Sequence, residues 1–184
     1  MLDLAQTFTV GISGKLIGID VWVSRYTATE PLIYDVRRTF GHMPSADDFG
    51  SNILASGVID ATELETDAGN LGTPPSMLAH LDLSGARPAV EQGDSLAIVL
   101  RSFDQGPRTS YIARGGTGDP YGGGAMYRRW AGNNQQWELS RDWDLVFQTH
   151  VIPEPVSVFL LMLGATGLVL VRPVPCSHPK GMSM

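Results

Sequence analysis

The chain has 184 residues, a formal net charge of −6 and one cysteine, Cys176; this length allows one core-forming domain of roughly 150 residues ahead of a compositionally distinct tail. The 13 basic residues fall in small groups such as Arg37-Arg38 and Arg128-Arg129 rather than in a stripe, which excludes a phosphate-tracking nucleic-acid surface. A lone cysteine beyond the apolar tail leaves the domain no internal disulfide and no thiol chemistry, while 43% hydrophobic residues exclude disorder and 21 glycines with 12 prolines announce many turns.

The opening segment, MLDLAQTFTVGISG, has no basic n-region, long apolar stretch or cleavage site, so it does not read as a secretory signal. It reads as a first strand, with Thr7, Thr9 and Gly11 alternating with Phe8, Val10 and Ile12. GKLIGIDVWVSRY sets Ile17, Ile19, Val21 and Val23 on one face, with Leu16, Gly18, Asp20 and Trp22 on the other. EPLIYDVRRTF opposes Leu32, Tyr34 and Val36 to Ile33, Asp35 and Arg37, and SNILASGVIDATEL gives a weaker strand. DATELETDAGNLGTPPS is the long surface loop.

PSMLAHLDLSG alternates Met77, Ala79, Leu81 and Leu83 against Leu78, His80 and Asp82. GDSLAIVLRSF is a nearly continuous apolar run, as expected of a strand covered on both faces. TSYIARGG and GAMYRRWAG flank the glycine-rich GGTGDPYGGG. RDWDLVFQTHV closes the domain, with Trp143, Leu145, Phe147, Thr149 and Val151 on one face and Asp142, Asp144, Gln148 and His150 mostly on the other. No long window has a capped helical period and no repeat recurs. The expectation is an all-β domain over residues 4–151, an antiparallel β-sandwich of jelly-roll type with about eight or nine strands.

Residues 152–155 form a Pro-Glu-Pro linker, and 156–172 an apolar span in which Ser157 and Thr166 are the polar side chains before Arg172. As a helix, Val156–Val171 would be roughly 24 Å long at about 1.5 Å per residue, short of the about 30 Å hydrocarbon core. It is apolar all round, which points to a membrane rather than to a place on a sandwich. Arg172 and Lys180 place the tail, 173–184, in the cytoplasm and the β-domain outside.

Pro153-Glu154-Pro155, a single apolar span and Arg172 at its end resemble the PEP-CTERM sorting signal of exported bacterial proteins. The resemblance covers about the last thirty residues, and the domain segments QTFTVGISGKLIGIDVWVSR, GDSLAIVLRS, GDPYGGGAMYRRW and WDLVFQTHV are similar to jelly-roll, carbohydrate-binding-like modules. It implies export, brief residence in the inner membrane and processing near the motif by an exosortase-type enzyme, in bacteria that make extracellular polysaccharide. It also implies an export signal, expected upstream of Met1 or lost by truncation.

The glycine-rich loop lacks the Lys-Ser/Thr ending of a phosphate cradle. As a ligand loop it offers Asp119 as acceptor or metal ligand and Tyr121, Tyr127 and Trp130 as platforms for a sugar ring, whose CH faces suit aromatic planes and whose hydroxyls suit carboxylates and amides. As a plain hairpin, its Asp-Pro-Tyr sets a turn and its aromatics fill the core. In WAGNNQQWELSRDWD, Trp130, Trp137 and Trp143 interleave with Asn133, Asn134, Gln135 and Gln136, although Gly132-Asn133-Asn134 is also a good turn. Asp47-Asp48 and Glu63, Glu65 and Asp67 are the loop clusters on which Ca²⁺ would sit, read more simply as solvated acidic loops.

His42, His80 and His150 are scattered, with no zinc-binding pair at short spacing, and no nucleophile elbow is present. Glu138 beside Trp137 is the carboxylate of most interest for glycosidase chemistry, which needs two across a cleft. The expectation is a non-catalytic, cofactor-free binding or structural module of the envelope or exopolysaccharide matrix, with no assigned catalytic or metal residue. A jelly-roll polysaccharide lyase or glycoside hydrolase is the alternative, and a permanently anchored protein a third reading.

Overall fold

Runs that alternate at a period of two become strands with one side chain in two turned toward the core. In this computed structural model the described residues are 2–25, 28–46, 50–66, 78–102, 111–113, 115–118, 121–130, 136–140 and 143–154. In chain order their strands are β1 Leu2–Thr9, β2 Gly14–Arg25, β3 Leu32–Phe40, β4 Met43–Pro44, β5 Ile53–Ile59, β6 Leu78–Asp82 and β7 Ala89–Val90. There follow β8 Ser95–Ser102, β9 Tyr111–Ala113, β10 Gly115–Thr117, β11 Met126–Trp130, β12 Glu138–Ser140, β13 Trp143–Leu145 and β14 Phe147–Pro153. The larger sheet runs β12-β11-β1-β8-β3-β4, with β5 also on β3. The second centres on β2, between β14 and β6, while β7 and β9 pair with the two ends of β2. β10 and β13 form a separate pair. The fold is all-β with antiparallel sheets, one of them curled into a half-barrel.

One apolar cluster draws on both sheets. Phe8, Tyr34, Val36 and Ile98 come from the larger, and Ile19, Val21, Val23 and Leu81 from the second. Each such side chain removed from water contributes about 1.5–3 kcal/mol before entropy is counted. β8 is buried on both faces from Leu96 through Leu100, as its continuous apolar run predicts. β1, between β11 and β8, also buries Gln6 and Thr7, and both are satisfied. Gln6 Nε2 donates to Asp144 Oδ1 at 3.0 Å, and its Oε1 accepts from the Leu145 N–H at 2.7 Å. Thr7 Oγ1 accepts from the Ala125 N–H at 2.8 Å. This close approach needs glycine at 124, where a Cβ would overlap the Thr7 carbonyl.

Two alternation readings are corrected. In β2, Leu16 enters the core together with Ile19, and Ile17 is only half-buried. The change of parity falls where β2 passes from β7, paired at Gly14 and Lys15, to β6, paired from Gly18. The last run is not one strand, because Val146 separates β13, which pairs with β10, from β14, which pairs with β2. Trp143 is consequently half-exposed, and Asp144 is buried between hydrogen bonds from Gln6 and from the Tyr121 N–H.

The other face of the larger sheet buries charge. Asp35 and Arg37, both fully buried, meet through two bonds of 2.6 and 2.7 Å, and Arg101 adds a third to Asp35 at 2.8 Å. Nearby in the same sheet, Arg129 donates to Asp3 at 2.7 Å and stacks 4.6 Å above the Trp137 ring. The planar Arg37 fork matches the two oxygens of Asp35, which is what makes charge tolerable at such depth.

The chain divides into a unit spanning Met1–Ile152 and a remainder, Pro153–Met184. The expected helix over 156–172 and tail over 173–184 lie outside the described residues. Among the described residues no helix is long and apolar enough to cross a membrane.

Candidate functional site

The aromatic residues singled out by the sequence separate into two environments. Tyr127 and Trp137 are buried in a small cluster with Ala5 and Val99. Tyr121 is half-buried, its ring edge-on to Phe147 at 5.3 Å and its hydroxyl bonded to the Thr9 backbone. Trp130 stands 46% exposed. Asp119 lies outside the described residues, as do Asp47, Asp48 and Asp67, whereas Glu63 and Glu65 are exposed. Of the residues expected to form a sorting motif, Pro153 ends β14 and Glu154 follows it, both exposed, with Pro155 and Arg172 outside the described residues.

A shallow trough of about 170 Å³ opens among β11, β12 and β13, lined by Gly124, Ala125, Met126, Leu139, Ser140, Trp143 and Asp144. Trp143 lies against Gly115 on β10, where a Cβ would come within 2.6 Å of its Cε3, and it leaves 49% of its surface in solvent. The indole is thus backed by β10 and about half open to solvent, as a stacking platform requires. Leu139 is equally half-exposed. Met126, Arg128 and Trp130 share one face of β11, so Trp130 stands roughly 13 Å from Met126 at the trough. Between them Arg128 faces Glu138 at 3.6 Å, a solvent-exposed pair that holds the rim polar.

A second constellation lies on the face of the β2 sheet that points away from the core. Ile19 and Val21 turn inward, so Asp20 between them turns outward. His80 is the residue directly opposite Asp20 on β6, and His150 comes from β14 on the other side. His80 Nδ1 meets Asp20 Oδ1 at 2.6 Å and His150 Nε2 meets Oδ2 at 2.7 Å. The imidazole centroids are 5.7 Å apart. Asp20 is 15% exposed, His150 34% and His80 55%. Gly18 makes room for the His80 ring, which a Cβ at that position would strike. Burial pushes the Asp20 carboxyl upward, but the hydrogen bonds from His80 and His150 and the charges of the two rings outweigh it and hold the group below its usual value. One donor atom from each of the three residues lies within 4.8 Å of the others.

Short-range spacing leaves these histidines scattered, because the zinc-ligand pairs it identifies lie within a single segment. The available signal was the outward parity of Asp20, His80 and His150 on three separate strands. No protein-family model, curated protein or solved structure matches the chain.

Proposed function

We propose that this chain is an exported, non-catalytic β-module of the bacterial envelope that binds extracellular polysaccharide. Its sandwich is of jelly-roll type. The C-terminal segment 156–172 holds it briefly in the inner membrane, and an exosortase-type enzyme processes it near Pro153-Glu154-Pro155. The sorting part rests on the sequence resemblance. The observation that carries the binding part is Trp143, a supported indole left half in solvent beside the trough. Trp130, at the distance of several strand residues along the same rim, suits an extended polymer better than a single small molecule. Aromatic planes accept the CH faces of sugar rings, and Ser140, Arg128 and Glu138 offer partners for hydroxyls.

Retention of the purified chain on an array of extracellular polysaccharides tests the binding part. Trp143→Ala is expected to weaken retention about three- to tenfold, and failure of the unaltered chain to bind any glycan overturns it. For the sorting part, mass spectrometry of the secreted form is expected to show a C-terminus near Pro153–Pro155. A secreted product still carrying residues 156–184 overturns it.

A further inference from the structure

We infer that Asp20, His80 and His150 form a binding site for one divalent transition-metal ion of the zinc class. The three residues lie 60 and 130 positions apart in sequence, yet each projects from a different strand of one ladder onto the same outward face. Two imidazole nitrogens and one carboxylate are donors that zinc and its neighbours accept, and three protein ligands with an open position is an arrangement zinc adopts.

The geometry needs little change to admit the ion. Ligand atoms around a tetrahedral zinc stand roughly 3.3 Å apart when each bond is about 2.0–2.1 Å. The nitrogens facing Asp20 now sit at 2.6 and 2.7 Å from its oxygens. Withdrawal of the rings from Asp20 by less than about 1 Å opens that space, and the ring nitrogens, which lie within 4.8 Å of each other, reach the same spacing by rotation about their side-chain χ angles. On binding, each ring nitrogen that faces Asp20 presents a lone pair to the ion: a neutral ring keeps its one proton on the outer nitrogen, and a charged ring releases its second proton to solvent. The strands themselves remain in place.

A purely structural role accounts poorly for this arrangement. Ion pairs this exposed contribute little to stability, so stability does not call for two imidazoles crowded onto one carboxylate. Nor does it call for a glycine at 18, which weakens a strand interior. Both features are what a ligand set demands, since they bring the rings to the carboxylate. The fourth position faces solvent beside the half-exposed His80, open to water or to an oxygen donor from outside. The site does not depend on the polysaccharide reading, being on the β2 sheet and sharing no residue with the trough.

Calorimetric titration of the full chain with ZnCl₂, after chelator treatment and dialysis, tests the inference. One equivalent is expected to bind, and substitution by Co²⁺ to give the visible absorption of a four-coordinate ion. His80→Ala, His150→Ala and Asp20→Ala should each weaken binding at least about tenfold, with unchanged far-UV circular dichroism showing that the variants fold. His42→Ala and a Cys176→Ser/His178→Ala double variant should retain it. No uptake by the unaltered chain overturns the inference. So does uptake that survives in the folded His80→Ala and His150→Ala variants, or that vanishes with Cys176 and His178.

Discussion

Two places in this molecule set one carboxylate between two basic side chains, with opposite consequences. On the larger sheet, Asp35 lies between Arg37 and Arg101, and both Asp35 and Arg37 are fully buried. On the β2 sheet, Asp20 lies between His80 and His150, which keep 55% and 34% of their side-chain surface in water. A guanidinium does not give up its proton, and its fork engages both oxygens of Asp35 while the Arg37 Nη1 reaches the Ser45 carbonyl at 2.8 Å. That cluster is locked. An imidazole can shift its proton between nitrogens and present a lone pair, and water has access, so the second cluster can exchange its hydrogen bonds for an ion. Burial and the chemistry of the cation separate a fastener from a site.

The largest expected effect comes from breaking the locked cluster. Asp35→Ala leaves guanidinium charge buried without its carboxylate and should cost about 3–5 kcal/mol of stability, measured by urea denaturation. Replacing Asp35, Arg37 and Arg101 together by leucine or methionine should cost less than Asp35→Ala alone, because no uncompensated charge is left inside. A triple variant less stable than the single one would show that the charges themselves hold the sheet.

On the core-facing side of the same strand the expected effect is moderate. Tyr34 donates to the Asp82 carbonyl at 2.9 Å, and Tyr34→Phe should lose about 1 kcal/mol at neutral pH in the same assay. Burial and the Asp82 charge raise the Tyr34 hydroxyl above its usual 10.0 against the opposing hydrogen bond, and burial raises Tyr127. Unfolded tyrosines release their protons first, so this stability is complete below about pH 10 and is lost as pH rises toward the raised values. Tyr34→Phe should flatten part of that alkaline decline; an unchanged slope would place its origin elsewhere.

The smallest stability effect belongs to the open cluster. Without metal, His80→Ala should change unfolding free energy by under about 1 kcal/mol, and a loss as large as that from Asp35→Ala would make the two clusters alike. Gly18→Val sharpens the contrast, because it displaces the His80 ring while leaving all three ligands in the chain. Zinc affinity should fall at least about tenfold, with the melting temperature of the metal-free protein shifting little. Retained affinity would mean that ring placement over Gly18 is not part of the site.

Much of this was legible in the residues. Alternation in LIYDV set Leu32, Tyr34 and Val36 on one face, the one that packs into the core, and the apolar run of β8 announced burial on both sides. Other features were not. Tyr127 and Trp137 are as aromatic as Trp130 and Trp143, and composition does not say which pair faces solvent. That was decided by where β11 and β12 sit against Ala5 and Val99. The buried Asp144 and exposed Trp143 reverse the hydrophobic order, because Gln6 on β1 and the Tyr121 N–H, from the segment ahead of β11, satisfy the carboxylate.

By itself the sequence placed Asp20, His80 and His150 in strands and set Asp20 opposite Ile19 and Val21, and His80 opposite Ala79 and Leu81, since a period of two is a local property of the backbone. Only the tertiary structure decided that β2 lies between β6 and β14, in a register that brings the three together. Pairing partners are chosen by hydrogen bonds and packing between segments far apart in the chain, and no local pattern encodes that choice.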